Sequence, residues 1–489
     1  MQTLSRRSFL GRGAGATVAA GLAVASRHGL AWAAPSSGYG ELVEDPNGLL
    51  DLPRRFTYRV VSVQGESAVE TPSGLAPVPG DFDGMAAFPG AGGSTILVRN
   101  HELTGSGSDL SKPPVPQINP YRSQPGGTTA VVVDSDRKRI REYVTSSGTS
   151  TNCAGGATPW GTWITCEETR LTDHGFVYEA IPEEPNSDIA KIPLRKMGYF
   201  SHEALDVDPQ TGIVYLTEDD FRGSIPGDPA LENPSTRKSF LFRYVPQDTR
   251  PMPFALRSGG GRLEAMKIDV LPGYNADLAS AGDRFAVRWV EVDAEEPHDG
   301  ALAQGAVQFN RLEGCHFVGG ALWFDDTAGG EARLGQVFRY TPATGSLELF
   351  FEATDANHMD SPDNIVITPW GDLWFAEDGD GEQRVMGITP EGEVYTFARN
   401  GLNESEFCGP CFSPDGRTFF VNFQDPGHTF AIWGPFEGRD RTRQRSMAAA
   451  TPPDGLGPRI SGELADAAQR LGLSPLEAAA YDRLGVPLQ

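Results

Sequence analysis

The residues best able to do chemistry in this chain are one cysteine and a set of carboxylates at the two ends of similar short stretches. NCAGGATPWGTWITCEE opens next to Cys153 and closes on Glu167 and Glu168. HEALDVDPQTGIVYLTE carries Glu203 and Glu218, and PDNIVITPWGDLWFAED carries Asp363 and Asp378. The intervals 153 to 168, 203 to 218 and 363 to 378 are each 15 residues, with a Pro–Gly turn inside each. A hairpin that leaves and returns brings its first and last residues to one edge of a sheet. VRNHE adds Glu102, and RLEGCHFVGGALWFDD adds Glu313 and Asp325. Carboxylates crowded at one rim force protons onto one another at neutral pH unless cations neutralise them. Oxygen donors suit Ca²⁺, whereas a lone thiolate among them suits a transition metal better, so Cys153 points to a mixed site. Arg311 stands two residues before Glu313, and its planar fork fits a phosphate, a carboxylate ligand or an ion pair within the cluster. His101 and His202 each precede a glutamate; strand neighbours face opposite ways, so both read as packing residues. Trp160, Trp323, Trp370 and Trp374 read as core.

These hairpins belong to a longer repeat. The steps from Cys153 to Glu203 and from Glu313 to Asp363 are 50 residues, and that from Asp363 to Cys408 is 45. A unit of about 40–50 residues with four short strands is a propeller blade. First strands at Asp83, Cys153, Glu203, Glu313, Asp363 and Cys408 predict six blades, with an insertion between Glu203 and Glu313. The last blade lacks a fourth strand, and RFTYRVVSVQG, from Arg55, can supply it and close the ring. A β-sandwich, the rival architecture, does not explain the period. The expected fold is all-β, a six-bladed β-propeller over residues 34–440 with a short C-terminal helical tail over 441–489. In that tail Ser474, Pro475 and Glu477 form a helix-start signal. The segment up to Leu52 reads as irregular. In a propeller each blade's first strand lies nearest the central channel, so the polar hairpin ends converge at one mouth.

The chain has 489 residues, 39% apolar and 9% aromatic, with 58 glycines and 38 prolines, which favours turns over long helices. Its N-terminus pairs Arg6 with Arg7, continues through a modest apolar run and reaches Ala31-Trp32-Ala33. That is the pattern of a twin-arginine export signal cut after Ala33, so the export machinery is an expected partner and the periplasm or exterior the expected location. No stretch reaches membrane-spanning length, which argues against stable membrane insertion. The formal charge is −24; the signal holds Arg6, Arg7, Arg12 and Arg27 and no acid, so −24 − 4 leaves −28 for the rest. Such a surface repels nucleic acid. Five cysteines in an exported chain do not form a complete disulfide framework. Cys408-Gly-Pro-Cys411 has thioredoxin-like spacing, but a hairpin follows where that motif needs a helix.

As a set, VRNHE, NCAGGATPWGTWITCEE, HEALDVDPQTGIVYLTED, RLEGCHF and SPDNIVITPWGDLWFAEDG resemble the exported PhoX-type alkaline phosphatases over most of the chain. The resemblance implies a six-bladed propeller and a phosphomonoesterase with an iron–calcium cluster. It implies Cys153, Glu168, Glu203 and Glu313 as metal ligands, Glu102 and Asp363 as further ligands, and Arg311 as the phosphate clamp. Glu218 and Asp378 are additional candidates. The family's Arg-Pro-Glu stands here as Arg311-Leu312-Glu313. Two other readings of the residues stay open: a calcium-dependent lactonase- or esterase-like propeller, and a non-catalytic metal-binding propeller.

Overall fold

The computed structural model describes residues 38–105, 112–183, 185, 188–220, 238–253, 255–257 and 260–436. The expected export signal and the expected C-terminal helical tail both lie outside the described residues. The strands form six sheets. Their first strands are Phe82–Pro89, Asn152–Ala157, His202–Val207, Leu312–Val318, Pro362–Ile367 and Phe407–Phe412. Each packs on the next, and Phe407–Phe412 packs back on Phe82–Pro89. The result is a six-bladed β-propeller whose first strands ring a central channel. Thr57–Val63 pairs antiparallel with His428–Trp433 and closes the ring, as the sequence predicts.

Three features differ from the sequence expectation. The segment before Leu52 is not wholly irregular: Leu42–Val43 and Leu50–Pro53 extend the Asp363 blade, with Leu50 opposite Asn400 and Asp51 opposite Arg399. Burial of Leu50 and Leu52 against the Trp374 core and the Arg399–Asp51 ion pair hold it there. The run RFAVRWVEV serves two blades. Arg284–Ala286 pairs with Ser346–Glu348 of the Glu313 blade, while Arg288–Val292 pairs with Leu263–Lys267 of the Glu203 blade. The α-helix Pro297–Gln304 was not foreseen; Pro297 starts it, and Gly305 ends it in the left-handed region at φ 67°.

Apolar faces of adjacent blades pack together, as alternation along the strands requires. The Asp363 and Cys408 blades meet through Trp374, Phe397, Phe419 and Phe430, with Trp370 packed against them. Trp374 is fully buried and donates to Tyr395 Oη at 2.6 Å. His101 bonds Gly80 O and Thr129 Oγ1, and His202 bonds Gly198 O, so both histidines are packing residues. All five cysteines are free thiols, and Cys408 and Cys411 lie on one strand.

One distortion recurs around the ring. The register of every first strand against its neighbour slips near its channel end, between 82 and 85, 152 and 155, 202 and 205, 312 and 315, 362 and 365, and 408 and 411. Such bulges twist a strand and re-aim a side chain. Asp83, Cys153, Glu203, Glu313 and Asp363 sit inside these bulges. Asp81, Thr151, Arg311 and Ser361, each two residues earlier, take positive φ values of 45°, 51°, 71° and 54°. Small residues follow because the first strands nearly touch. A Cβ on Gly84 would lie 2.5 Å from Ala154 Cα, and one on Gly314 would lie 2.5 Å from Asp363 O.

Candidate metal centre

The second strand of each blade returns to the channel and ends in a fixed way. The backbone N–H groups of Glu102, Glu168, Asp219, Thr327, Asp378 and Gln424 donate to the carbonyls of Asp81, Thr151, Ser201, Arg311, Ser361 and Glu406. These six residues therefore occupy one position in six blades, beside the bulge residues. The channel mouth is built from two tiers: Asp83, Cys153, Glu203, Glu313, Asp363 and Cys408 on first strands, and Glu102 through Gln424 on second strands.

Two groups within these tiers have metal-binding geometry. Cys153, Glu168 and Glu203 offer ligand atoms all within 4.8 Å of one another, and so do Glu203, Glu313 and Asp363. Glu203 belongs to both. Cys153, Glu168, Glu203 and Glu313 are buried, and Asp363 is part-buried. Hydrogen bonds across blades fix the backbone beneath them. Asn100 Nδ2 donates to Cys153 O at 3.0 Å and to Ala154 O at 2.6 Å. Thr217 Oγ1 donates to Glu313 O at 2.6 Å, and Asn422 Nδ2 donates to Asp83 O at 2.9 Å.

The electrostatics match a cation site. Burial, then the charges of Glu203 and Glu168, push the Cys153 thiol well above its ordinary value. Burial, then Asp219 and Glu203, hold the Glu313 carboxyl well above the usual range although Arg311 opposes the shift. Burial, then Asp363, does the same to Asp325. Buried carboxylates and a thiolate so placed become stable in ionised form only with bound positive charge. The donor set fits the expected metals: hard oxygen ligands for calcium, and a thiolate with carboxylates for a transition metal such as iron.

Arg311 lies between the tiers. Its Nε is 3.1 Å from both Asp219 oxygens, and its Nη2 bonds Asp219 Oδ2 at 2.5 Å and Glu313 Oε1 at 2.8 Å. Burial works against its charge, but Asp219 and Glu313 outweigh this and hold its pKa well above the ordinary value.

The structure thus brings together Cys153, Glu168, Glu203, Glu313 and Asp363, with Arg311 beside them. Glu102 stands at the rim, accepts from Gln424 Nε2 at 2.9 Å and belongs to neither metal-type group. Glu167 is structural: it accepts from Ser150 N, His174 Nδ1, Gly175 N, Phe176 N and Tyr178 Oη. Glu218 likewise faces away, accepting from Phe240 N at 3.2 Å and His298 Nδ1 at 2.8 Å. Asp219 holds the channel position that the sequence assigned to Glu218. Glu406 was not foreseen. Burial, then the charge of Asp378 and a hydrogen bond with it, raise its carboxyl well above the usual range, and the charges of Asp363 and Asp83 add to the shift.

The model of the family described as alkaline phosphatase PhoX matches residues 37–427. Among solved structures, PhoX of Pseudomonas fluorescens in complex with vanadate, a transition state analogue, superposes with a TM-score of 0.58. It is 18% identical and covers 79% of this chain and 96% of its own. A gluconolactonase of Xanthomonas campestris superposes with a TM-score of 0.41, is 12% identical and covers 81% of this chain and 98% of its own. The first likeness carries the propeller fold; the second is too distant to carry an argument. On the match over residues 37–427, this chain belongs to the PhoX family of alkaline phosphatases.

Proposed function

We propose that this protein is an exported phosphatase that hydrolyses phosphomonoesters at an iron–calcium cluster in the propeller mouth. The observation that carries the reading is the sharing of Glu203 between two metal-type groups, one of which contains Cys153. Cys153, Glu168 and Glu203 would hold the transition metal, and Glu203, Glu313 and Asp363 the calcium. Bound there, the cations supply Lewis acidity toward a phosphoryl oxygen and stabilise negative charge in the transition state.

The chain's own residues do the rest. Arg311 presents a guanidinium that Asp219 and Glu313 hold in one orientation, ready to brace an anionic phosphate. Asp219 is a positioning residue: it fixes Arg311 without being one of the metal-type groups. The rigid first strands keep the acidic groups at fixed separations, so little reorganisation is needed when charge develops on the substrate. Twin arginines at Arg6 and Arg7 and the small-residue site at Ala31 to Ala33 support export to the periplasm or beyond through the twin-arginine machinery. No helix among the described residues is long and apolar enough to cross a membrane.

The test is elemental analysis of purified protein together with assays on p-nitrophenyl phosphate and on a lactone. Iron and calcium with phosphomonoester hydrolysis, both lost in Cys153→Ala, are expected. Calcium without iron and activity on the lactone alone would contradict the proposal.

A further inference from the structure

Four carboxylates at equivalent second-strand ends anchor the turns that lead into the channel. Glu167, Asp326 and Glu377 accept from the backbone N–H groups of Ser150, Asn310 and Asp360, each three residues before a channel residue. Glu218 accepts from Phe240 N. Three of the four also hold a donor side chain: His174 on Glu167, His298 on Glu218 and Arg384 on Glu377. Asp326 breaks the pattern. Opposite it in register stands the neutral Gln336, the position that Arg384 takes opposite Glu377.

The surroundings of Asp326 are polar and unsatisfied. Asp326 and Gln336 are both fully buried. Asp326 Oδ1, Gln336 Oε1 and Gln336 Nε2 have no hydrogen-bond partner. A Cβ built on Gly329 would lie 2.8 Å from Asp326 Cγ, 3.0 Å from its Oδ2 and 2.9 Å from Gln336 Oε1, so the two side chains converge over that glycine with the orphan Oδ1 on the same carboxylate. The neighbouring charges deepen the deficit. Burial first, then the charges of Asp277 and Asp219, push the Asp326 carboxyl well above the usual carboxylate range, and the opposing charge of Arg333 is bound to Asp277 at 3.0 Å. A water molecule could complete hydrogen bonds here but would not supply the positive charge that an ionised Asp326 needs. Gly330, next to Gly329, lines a cleft of about 640 Å³ together with Asp277, Asp283, Glu331, Arg333 and Glu352, a lining with more acidic than basic groups.

We propose that Asp326 Oδ1 and Gln336 Oε1 are two ligands of a further calcium ion, separate from the channel cluster, which takes the place that Arg384 fills in the next blade. One carboxylate, one amide oxygen and water make a hard-oxygen site of the kind calcium accepts. The ion serves the channel indirectly. Asp326 holds Asn310 N at 2.8 Å, and Asn310 precedes Arg311, whose backbone sits in the left-handed region. A cation on Asp326 therefore stiffens the turn that aims the guanidinium.

The test is the calcium and iron content per chain of full-length protein after dialysis into metal-free buffer. Gln336→Arg supplies the missing positive charge from the chain itself. It is expected to hold one calcium fewer than wild type, with unchanged iron and a hydrolysis rate within about twofold of wild type. Asp326→Asn, read in its place if the arginine variant does not fold, is expected to lose the same single calcium. It should also raise the concentration of inorganic phosphate needed for half-maximal inhibition. Unchanged calcium in the folded variant overturns the site. Loss of iron along with calcium overturns its separateness from the channel cluster. Neither result depends on which phosphoester the enzyme prefers.

Discussion

Arg311 lays its guanidinium along the carboxylate of Asp219, with Nε 3.1 Å from both oxygens, while Nη2 reaches Glu313. The Arg311 guanidinium is thus positioned from the Glu203 blade, on which Asp219 lies, although Arg311 belongs to the next. Asp219→Asn keeps the size of the side chain and removes its charge. It is expected to raise KM for p-nitrophenyl phosphate more than it lowers kcat, with metal content unchanged. Arg311→Lys, which loses the planar fork, is expected to lower kcat/KM by about 10²-fold or more. Steady-state kinetics on both variants checks this.

Glu167 and Glu168 are neighbours with opposite tasks. Glu168→Gln should lose bound metal and keep its fold, because its carboxylate faces Cys153 and Glu203. Glu167→Gln should keep the metals and lose about 1–3 kcal/mol of stability, because its carboxylate accepts from three backbone N–H groups and two side chains. Chemical denaturation with metal analysis separates the two.

Metal loading should release protons. In the metal-free chain, burial and neighbouring charge push the Cys153 thiol and the Glu313 carboxyl well above their ordinary values, so both hold their protons more tightly than free groups do. Ligands bind metal in deprotonated form. Apparent affinity should therefore rise with pH between 6 and 8, and calorimetry in buffers of different ionisation enthalpy should show net proton release. Affinity that falls with rising pH would count against this picture.

Part-buried Arg384 forms an ion pair at 2.6 Å with the buried Glu377, and also donates to Ala356 O. Removing one partner leaves a buried charge without its counterpart. Arg384→Ala is expected to cost about 3–5 kcal/mol in urea unfolding, without changing which metals are bound.

Much of the architecture was legible in the sequence because the blade repeat and its polar ends are both local signals. The first-strand positions Asp83, Cys153, Glu203, Glu313, Asp363 and Cys408, and the closing strand after Arg55, follow from spacing alone. What failed did so at the level of one residue. The constant interval of 15 is right for Cys153–Glu168 and Asp363–Asp378, whose hairpin turns span residues 158–162 and 368–372. In the Glu203 blade the turn spans 208–213, one residue longer, so the channel position moves from Glu218 to Asp219. A one-residue shift reverses which way a strand residue faces. The run Asp219-Asp220 after Glu218 was the available signal. Glu406 was missed because it precedes its strand, where no periodic pattern marks it. The outer strands near Leu42 and Leu50 pair with a blade more than 300 residues away, which no local pattern reports.

Glu203 joins the two halves of the channel cluster, and its removal tests the account most directly. The measurement is iron and calcium per chain of folded Glu203→Gln, taken with its rate on p-nitrophenyl phosphate. The account predicts that both metals fall together and that hydrolysis drops to the level of chelator-stripped wild type. A folded Glu203→Gln protein that keeps its full metal content and hydrolyses the ester at the wild-type rate would contradict it.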